Sequence, residues 1–218
     1  MGLKKTLSRE PNRRNARLRS MESGKSIHLD FGCGASPRNP FNASIVKTVD
    51  VRQYDIPIET KLIKSGGKLP FPNDYFDSVS AYDVLEHLSR NENGQNLFIF
   101  YMNELFRVLK PKGLALFVFP AFPYKDAFSD PTHVNFITDE TVNFFVHKSK
   151  DWSYEGIETN YFLIKNQKLR QWKKYIYSVE LYPIKEVQSV RRRLSLYKRA
   201  ILRVLRPQHR IWILRKES

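Results

Sequence analysis

Two periods of apolar spacing organise this chain of 218 residues. Ser26–Phe31 is a short apolar run ending in glycines and predicts a buried strand. Ser44–Val51 is a second, β-branched run, and Phe76–Val84 alternates as a third strand would. Between Asn93 and Leu109 the period changes, with apolar residues at 97, 98, 101, 105 and 109 following helical spacing. Lys110-Pro111-Lys112-Gly113 should stop that helix, because proline and glycine together break it. Leu114–Phe119 predicts another buried strand, ended by Pro120. Asp139–His147 predicts a short helix capped by Thr138, with Thr141 inside it. Strands alternating with helices imply an α/β fold: a mostly parallel sheet with helices on both faces.

The pattern changes after about residue 155. Tyr161–Ile164 and Tyr175–Pro183 predict a final antiparallel hairpin. Val187–Arg206 predicts an amphipathic helix, stopped by Pro207. At about 100° per residue, Val190, Leu194, Tyr197, Ile201, Val204 and Leu205 gather on one side and Arg192, Arg199, Arg203 and Arg206 on the other. Three regions follow: a basic arm over 1–25, a main domain over 26–185 and a basic amphipathic helical extension over 186–218.

Composition narrows the class. Apolar residues make up 41% and aromatics 13%, which suits a globular core. No run is long and apolar enough to cross a membrane as a helix, and the basic N-terminus lacks the apolar centre of a secretory signal. The single cysteine, Cys33, forms no intrachain disulfide and suits a cytoplasmic location. Net charge is +15, unevenly spread: +6 over residues 1–27 and +13 over 163–218, leaving the middle at −4. A polyanionic surface would therefore meet the flanks rather than the centre.

The chemistry begins at Ile27-His28-Leu29-Asp30-Phe31-Gly32-Cys33-Gly34. Gly32 and Gly34 let the backbone turn tightly after a strand and approach a ligand, toward which their N–H groups are expected to point. A dinucleotide fingerprint needs a third glycine where this chain has Pro37. Asp50 ends the next strand, where a carboxylate can accept from both hydroxyls of a ribose. Leu69–Leu88 supplies a turn, a strand and a polar loop with Asp83, Glu86 and His87. Glu104–Pro120 supplies a helix, a breaker and a strand.

Taken in order, LDFGCG, Asp50, LPFPNDYFDSV and RVLKPKG resemble the class I S-adenosylmethionine-dependent methyltransferases over roughly residues 26–147, particularly the enzymes of small molecules and of bacterial surface polysaccharides. The resemblance implies a Rossmann-like, mostly parallel seven-stranded sheet and S-adenosylmethionine as cofactor. It places Gly32, Cys33 and Gly34 around the amino-acid part of the cofactor, with Asp30 near its amino group. Asp50 would take the ribose, Val51 would line the adenine, and Asp83 would lie beside the methionine moiety. Two departures stand out. Lys64-Ser65-Gly66-Gly67 lacks the acid that many relatives place against the adenine amine. Pro37 and Pro40 shorten or remove the first helix, and with it the helix-dipole contribution of about 0.3–1 kcal/mol.

Methyl transfer to oxygen asks for a base near neutral pKa, for which histidine is the natural candidate. His133 in Asp130-Pro131-Thr132-His133 and His87 beside Glu86 should both open at the carboxyl edge of the sheet; His133 is the first choice, with Asp130 as its orienting partner. His28 is expected to pack inside its strand, and His147 and His209 have no evident partner. No metal site is expected, since no H-x-x-x-H or similar spacing occurs. The expected acceptor is a sugar or lipid-linked glycan precursor, handled by a cytoplasmic enzyme on the inner face of an anionic membrane met by the C-terminal basic helix. An RNA methyltransferase, with Trp172, Tyr175 and Trp212 stacking bases, is the alternative; a non-catalytic scaffold is a further one.

Overall fold

The computed structural model describes residues 24–56, 60–63, 65–146, 156–170 and 208–217. Seven strands form one sheet: β1 (Ile27–Phe31), β2 (Ile45–Asp50), β3 (Thr60–Leu62), β4 (Phe76–Tyr82), β5 (Leu109–Pro120), β6 (Tyr161–Arg170) and β7 (Gln208–Lys216). Their order across the sheet is β3-β2-β1-β4-β5-β7-β6. β1 to β5 pair in parallel. β7 runs antiparallel to both β5 and β6. The order reverses between β1 and β4, and the carboxyl ends of those two strands are where an open α/β sheet binds ligands.

Strand alternation divides β1 between two faces. Ile27, Leu29 and Phe31 join Val49, Val79, Ala81, Phe117 and Trp212 in the main core. The helix α1 (Leu97–Val108) covers this face with Leu97, Phe98, Tyr101, Met102, Leu105 and Val108. Asn96 caps it, its side-chain oxygen accepting the Phe98 and Ile99 amides at 3.1 and 3.3 Å. Near its end Glu104 accepts the Leu69 amide at 2.8 Å, and Arg107 grips Glu104 and the Leu69 and Phe71 carbonyls. The LPFP turn is thereby bolted to α1.

The opposite face is unlike the expected second helical layer. Among the described residues the only helix longer than four residues is α1. Pro37 and Pro40 keep the β1–β2 connection non-helical, and it lies on the sheet as a loop. Beneath it His28 bonds Ser78 at 2.8 Å through Nδ1 and Ser80 at 2.9 Å through Nε2. Ser80 donates in turn to Asp30 at 3.0 Å. His28 is thus a wired polar group rather than packing alone, and burial pushes its pKa down to about 3.

Three further expectations change. Lys110–Gly113 does not separate helix from strand: β5 starts at once, and its pairing slips from Phe76↔Leu109 to Ser78↔Leu114 around those residues. The expected helix at 139–147 is a 3-10 turn, Thr141–Phe144; Thr138 bonds the Glu140 amide instead of capping it. The partner of β6 is β7, Gln208–Lys216, a strand within the span expected to form the helical extension. Tyr175–Pro183 and Val187–Arg206 lie outside the described residues. Trp212 is fully buried against Phe119 and is not a stacking platform for bases. Among the described residues no helix is long and apolar enough to cross a membrane.

Candidate active site

A cavity of about 790 Å³ opens at the carboxyl ends of β1, β2 and β4. One wall is the turn after β1. Gly32 and Gly34 have φ of 69° and 55°, which glycine adopts without strain. A Cβ on Gly32 would run into the methyl groups of Val84. The amides are not aimed at a ligand as the sequence suggested. Gly32 and Cys33 donate theirs to the Val49 carbonyl at 2.9 and 3.4 Å, and Gly34 donates to Asp50 Oδ2 at 3.0 Å. The turn therefore offers close approach rather than free donors.

Asp50 lines the cavity with Val51, whose side chain is exposed. Its Oδ1 accepts the Arg52 amide at 3.0 Å. With one backbone donor on each oxygen, each keeps a lone pair for a further hydroxyl. Asp30 does not line the cavity, contrary to the expectation for it. Alternation turns it to the far face, where Oδ2 accepts the Arg38 amide at 2.8 Å. Burial pushes its carboxyl up to about 6. The acid stitches the helix-less loop to the sheet, helped by the Arg38 guanidinium 4.4 Å above the Tyr82 ring.

Asp83, at the head of the loop after β4, lines the cavity with φ of 53°. His209 Nε2 stands 3.0 Å from its Oδ1. The antiparallel insertion of β7 brings these residues together, and no local spacing announces it. Glu92 is a second residue the sequence did not single out. It lines the cavity and accepts the Ser65 hydroxyl at 2.8 Å, so an acid stands against the segment that lacks one.

The opposite wall is the turn Leu85–His87 joined to the segment after Asp130. Val134 and Asn135 donate their amides to the Glu86 carbonyl at 2.8 and 3.0 Å. The Asn135 side chain donates to the Leu85 and Leu88 carbonyls at 2.9 and 2.6 Å. Of the candidate catalytic residues His133, His87, Glu86 and Asp130, only His87 reaches the cavity, together with Thr132. Thr132 donates its single proton to Asp130 at 2.6 Å, so its oxygen accepts from His87 Nδ1 at 2.9 Å. That leaves the lone pair of His87 on Nε2. Burial lowers the pKa of His87, with the nearby His133 adding to it, and keeps the ring neutral.

His133 lies behind this wall, its ring 4.7 Å from that of His87. Its Nδ1 donates to the Ala127 carbonyl at 3.1 Å, and its Nε2 is 4.0 Å from Glu86 Oε1 and 3.9 Å from Asp130 Oδ2. Glu86 is 2% exposed, and among the described residues neither carboxylate oxygen has a hydrogen-bond partner. Burial, aided by Asp83, pushes its pKa up to about 8. One coordinating atom each from Glu86, His87 and His133 falls within 4.8 Å of the others. The expectation of no metal site looked for local spacing, whereas folding assembles this set from positions 46 residues apart.

Residues 29–117 match the model of a family described as a methyltransferase domain. No curated protein matches the chain in sequence. Among solved structures, a SAM-dependent methyltransferase from Archaeoglobus fulgidus is similar at 17% identity and a TM-score of 0.52, covering 95% of each chain. The [4+2]-cyclase SpnF is similar at 16% identity and 0.54, covering 95% of this chain and 82% of its own. At this identity the likeness shows the fold, a Rossmann-like methyltransferase fold.

Proposed function

We propose that this chain is a class I S-adenosylmethionine-dependent methyltransferase and that its reaction is O-methylation of a sugar hydroxyl, on an acceptor with an apolar, lipid-linked part. S-adenosylmethionine supplies a methyl carbon already activated on a sulfonium. The residues present suit this cofactor. The cavity volume lies within the roughly 300–1,000 Å³ of small-molecule sites. Asp50 keeps two lone pairs for ribose hydroxyls, and the space beside Gly34, where a Cβ would stand, is open. Asp83, paired with His209, offers negative charge for an ammonium group. Val51, Tyr54 and Ile63 give apolar surface for a base, and Glu92 with Ser65 gives it a polar edge.

One observation carries the oxygen acceptor: His87 stands in the cavity wall with Nδ1 held by Thr132 and Asp130. A neutral imidazole with a fixed tautomer is the group that handles a hydroxyl proton near neutral pH. The lipid-linked part is supported by the segment that delivers Thr132. Phe122, Phe128 and Phe136 are each more than a third exposed and form a contiguous aromatic set, with ring centroids 5.7 and 4.8 Å apart. The basic flanks suit an anionic inner leaflet.

Calorimetry with S-adenosylhomocysteine, followed by transfer of labelled methyl to a panel of lipid-linked and free sugars, tests the reading. Binding in the micromolar range and alkali-stable ether products are expected. Label on nitrogen, or on RNA in place of sugar, would overturn the acceptor.

A further inference from the structure

We propose that Glu86, His87 and His133 bind a divalent first-row cation of the zinc type at the acceptor side of the cavity. This rests on the methyltransferase reading and gives His87 a second role within it: with the cation bound, His87 Nε2 is a ligand, and the cation in place of the imidazole activates the acceptor hydroxyl.

Two imidazoles and one carboxylate are a donor set for such cations, and three protein ligands leave a coordination position open. The supporting groups are in place. A metal-bound histidine almost always donates its other ring N–H to an oxygen, which fixes the tautomer and leaves the ligating nitrogen free. Both histidines here do so through Nδ1, His133 to the Ala127 carbonyl and His87 to the Thr132 hydroxyl backed by Asp130. Both therefore present Nε2. An independent sign comes from Glu86. A carboxyl 2% exposed with two unpartnered oxygens is a costly arrangement for an ordinary core position. A cation between the three groups would give those oxygens a partner. The ligand atoms lie within 4.8 Å of one another. Tetrahedral coordination at about 2.0–2.2 Å needs them about 3.3–3.6 Å apart, a contraction within reach of small rotamer changes.

The placement gives the cation a task. His87 belongs both to this set and to the cavity lining, so the open position borders the space where donor and acceptor meet. An acceptor hydroxyl taken there becomes more acidic and releases its proton to water. Its oxygen then bonds the methyl carbon as the carbon–sulfur bond breaks, and that electron pair stays on sulfur.

The test uses the full chain, stripped with a chelator and dialysed, then titrated with Zn²⁺ and separately with Co²⁺. One equivalent should bind with sub-micromolar affinity, and Co²⁺ should give visible bands of low-symmetry coordination. Glu86→Gln and His133→Gln should each weaken binding at least 100-fold while S-adenosylhomocysteine affinity stays within about threefold, which also reports a folded protein. No stoichiometric cation in the wild type, or wild-type affinity in both variants, would overturn the site. Failure of the methyltransferase reading would show instead as loss of S-adenosylhomocysteine binding by the wild type.

Discussion

Gly34 donates its amide to Asp50 Oδ2 at 3.0 Å, tying the turn after β1 to the end of β2. The same carboxylate holds the Arg52 amide, so it sets loop geometry as well as offering lone pairs to a ribose. Asp50→Ala removes both roles. Hydrogen bonds to charged groups contribute about 1.5–3 kcal/mol each, so S-adenosylhomocysteine affinity should fall at least 100-fold by calorimetry. Asp50→Asn, which keeps an acceptor oxygen, should lose less. Equal affinity in all three proteins would remove Asp50 from the cofactor site.

Gly32→Ala places a Cβ against Val84 at a φ that alanine adopts with strain, a left-handed penalty of about 1–2 kcal/mol before any overlap. Thermal melting should show a clear drop. Trimming the obstacle with Val84→Ala should restore part of it in the double variant, and a strictly additive pair would contradict the contact.

His28 and Asp30 oppose each other in their dependence on pH. His28, held down to about 3, stays neutral in the fold while the unfolded histidine takes up a proton below about 6.5. Its contribution is complete above that pH and declines as pH falls toward 3. Asp30, held up to about 6, keeps in the fold a proton that the unfolded chain releases near 3.9. Its contribution is complete below that pH and is lost as pH rises through 6. Between about pH 4 and 6 the two slopes cancel. Asp30→Asn should expose the histidine alone: relative to wild type, stability from denaturant melts should fall with acid by up to about 1.4 kcal/mol per pH unit. Parallel curves would contradict this wiring.

Glu92 stands where the sequence lacks an acid, bonded to Ser65. Glu92→Gln should raise the dissociation constant for S-adenosylhomocysteine about 3- to 10-fold, and less for an analogue without the adenine amine. The same loss for both ligands would assign Glu92 to loop structure.

The strands nearest the site were legible because each is a contiguous apolar run closed by a turn signal, as in β1, β2 and β4. Gly32, Gly34, Asp50 and Asp83 were legible because strand ends put them at one edge. What escaped depends on contacts between distant segments. Asp30 carries the right residue type in the right motif, yet the two-residue period turns it to the other face. His133 reads as exposed in its loop, yet Asn135 pulls that loop onto Leu85–His87 and buries the ring. The Asp83–His209 pair and the Glu86, His87 and His133 set have no local pattern at all. β7 was hidden because its isoleucines and tryptophan sit among arginines and follow a helical-looking basic stretch.

The position of β7 also sets the order in which the sheet can be completed. Among the described strands β6 pairs with β7, and β7 is the neighbour of β5. Until residues 208–216 emerge from the ribosome, the apolar rim of β5, with Leu116, Phe117 and Val118, has no strand to pair with, and β6 has no place in the sheet. An unpaired apolar edge of this kind recruits other chains. Synthesis therefore passes through an interval in which β1 to β6 exist and the β5 edge of the sheet is still open.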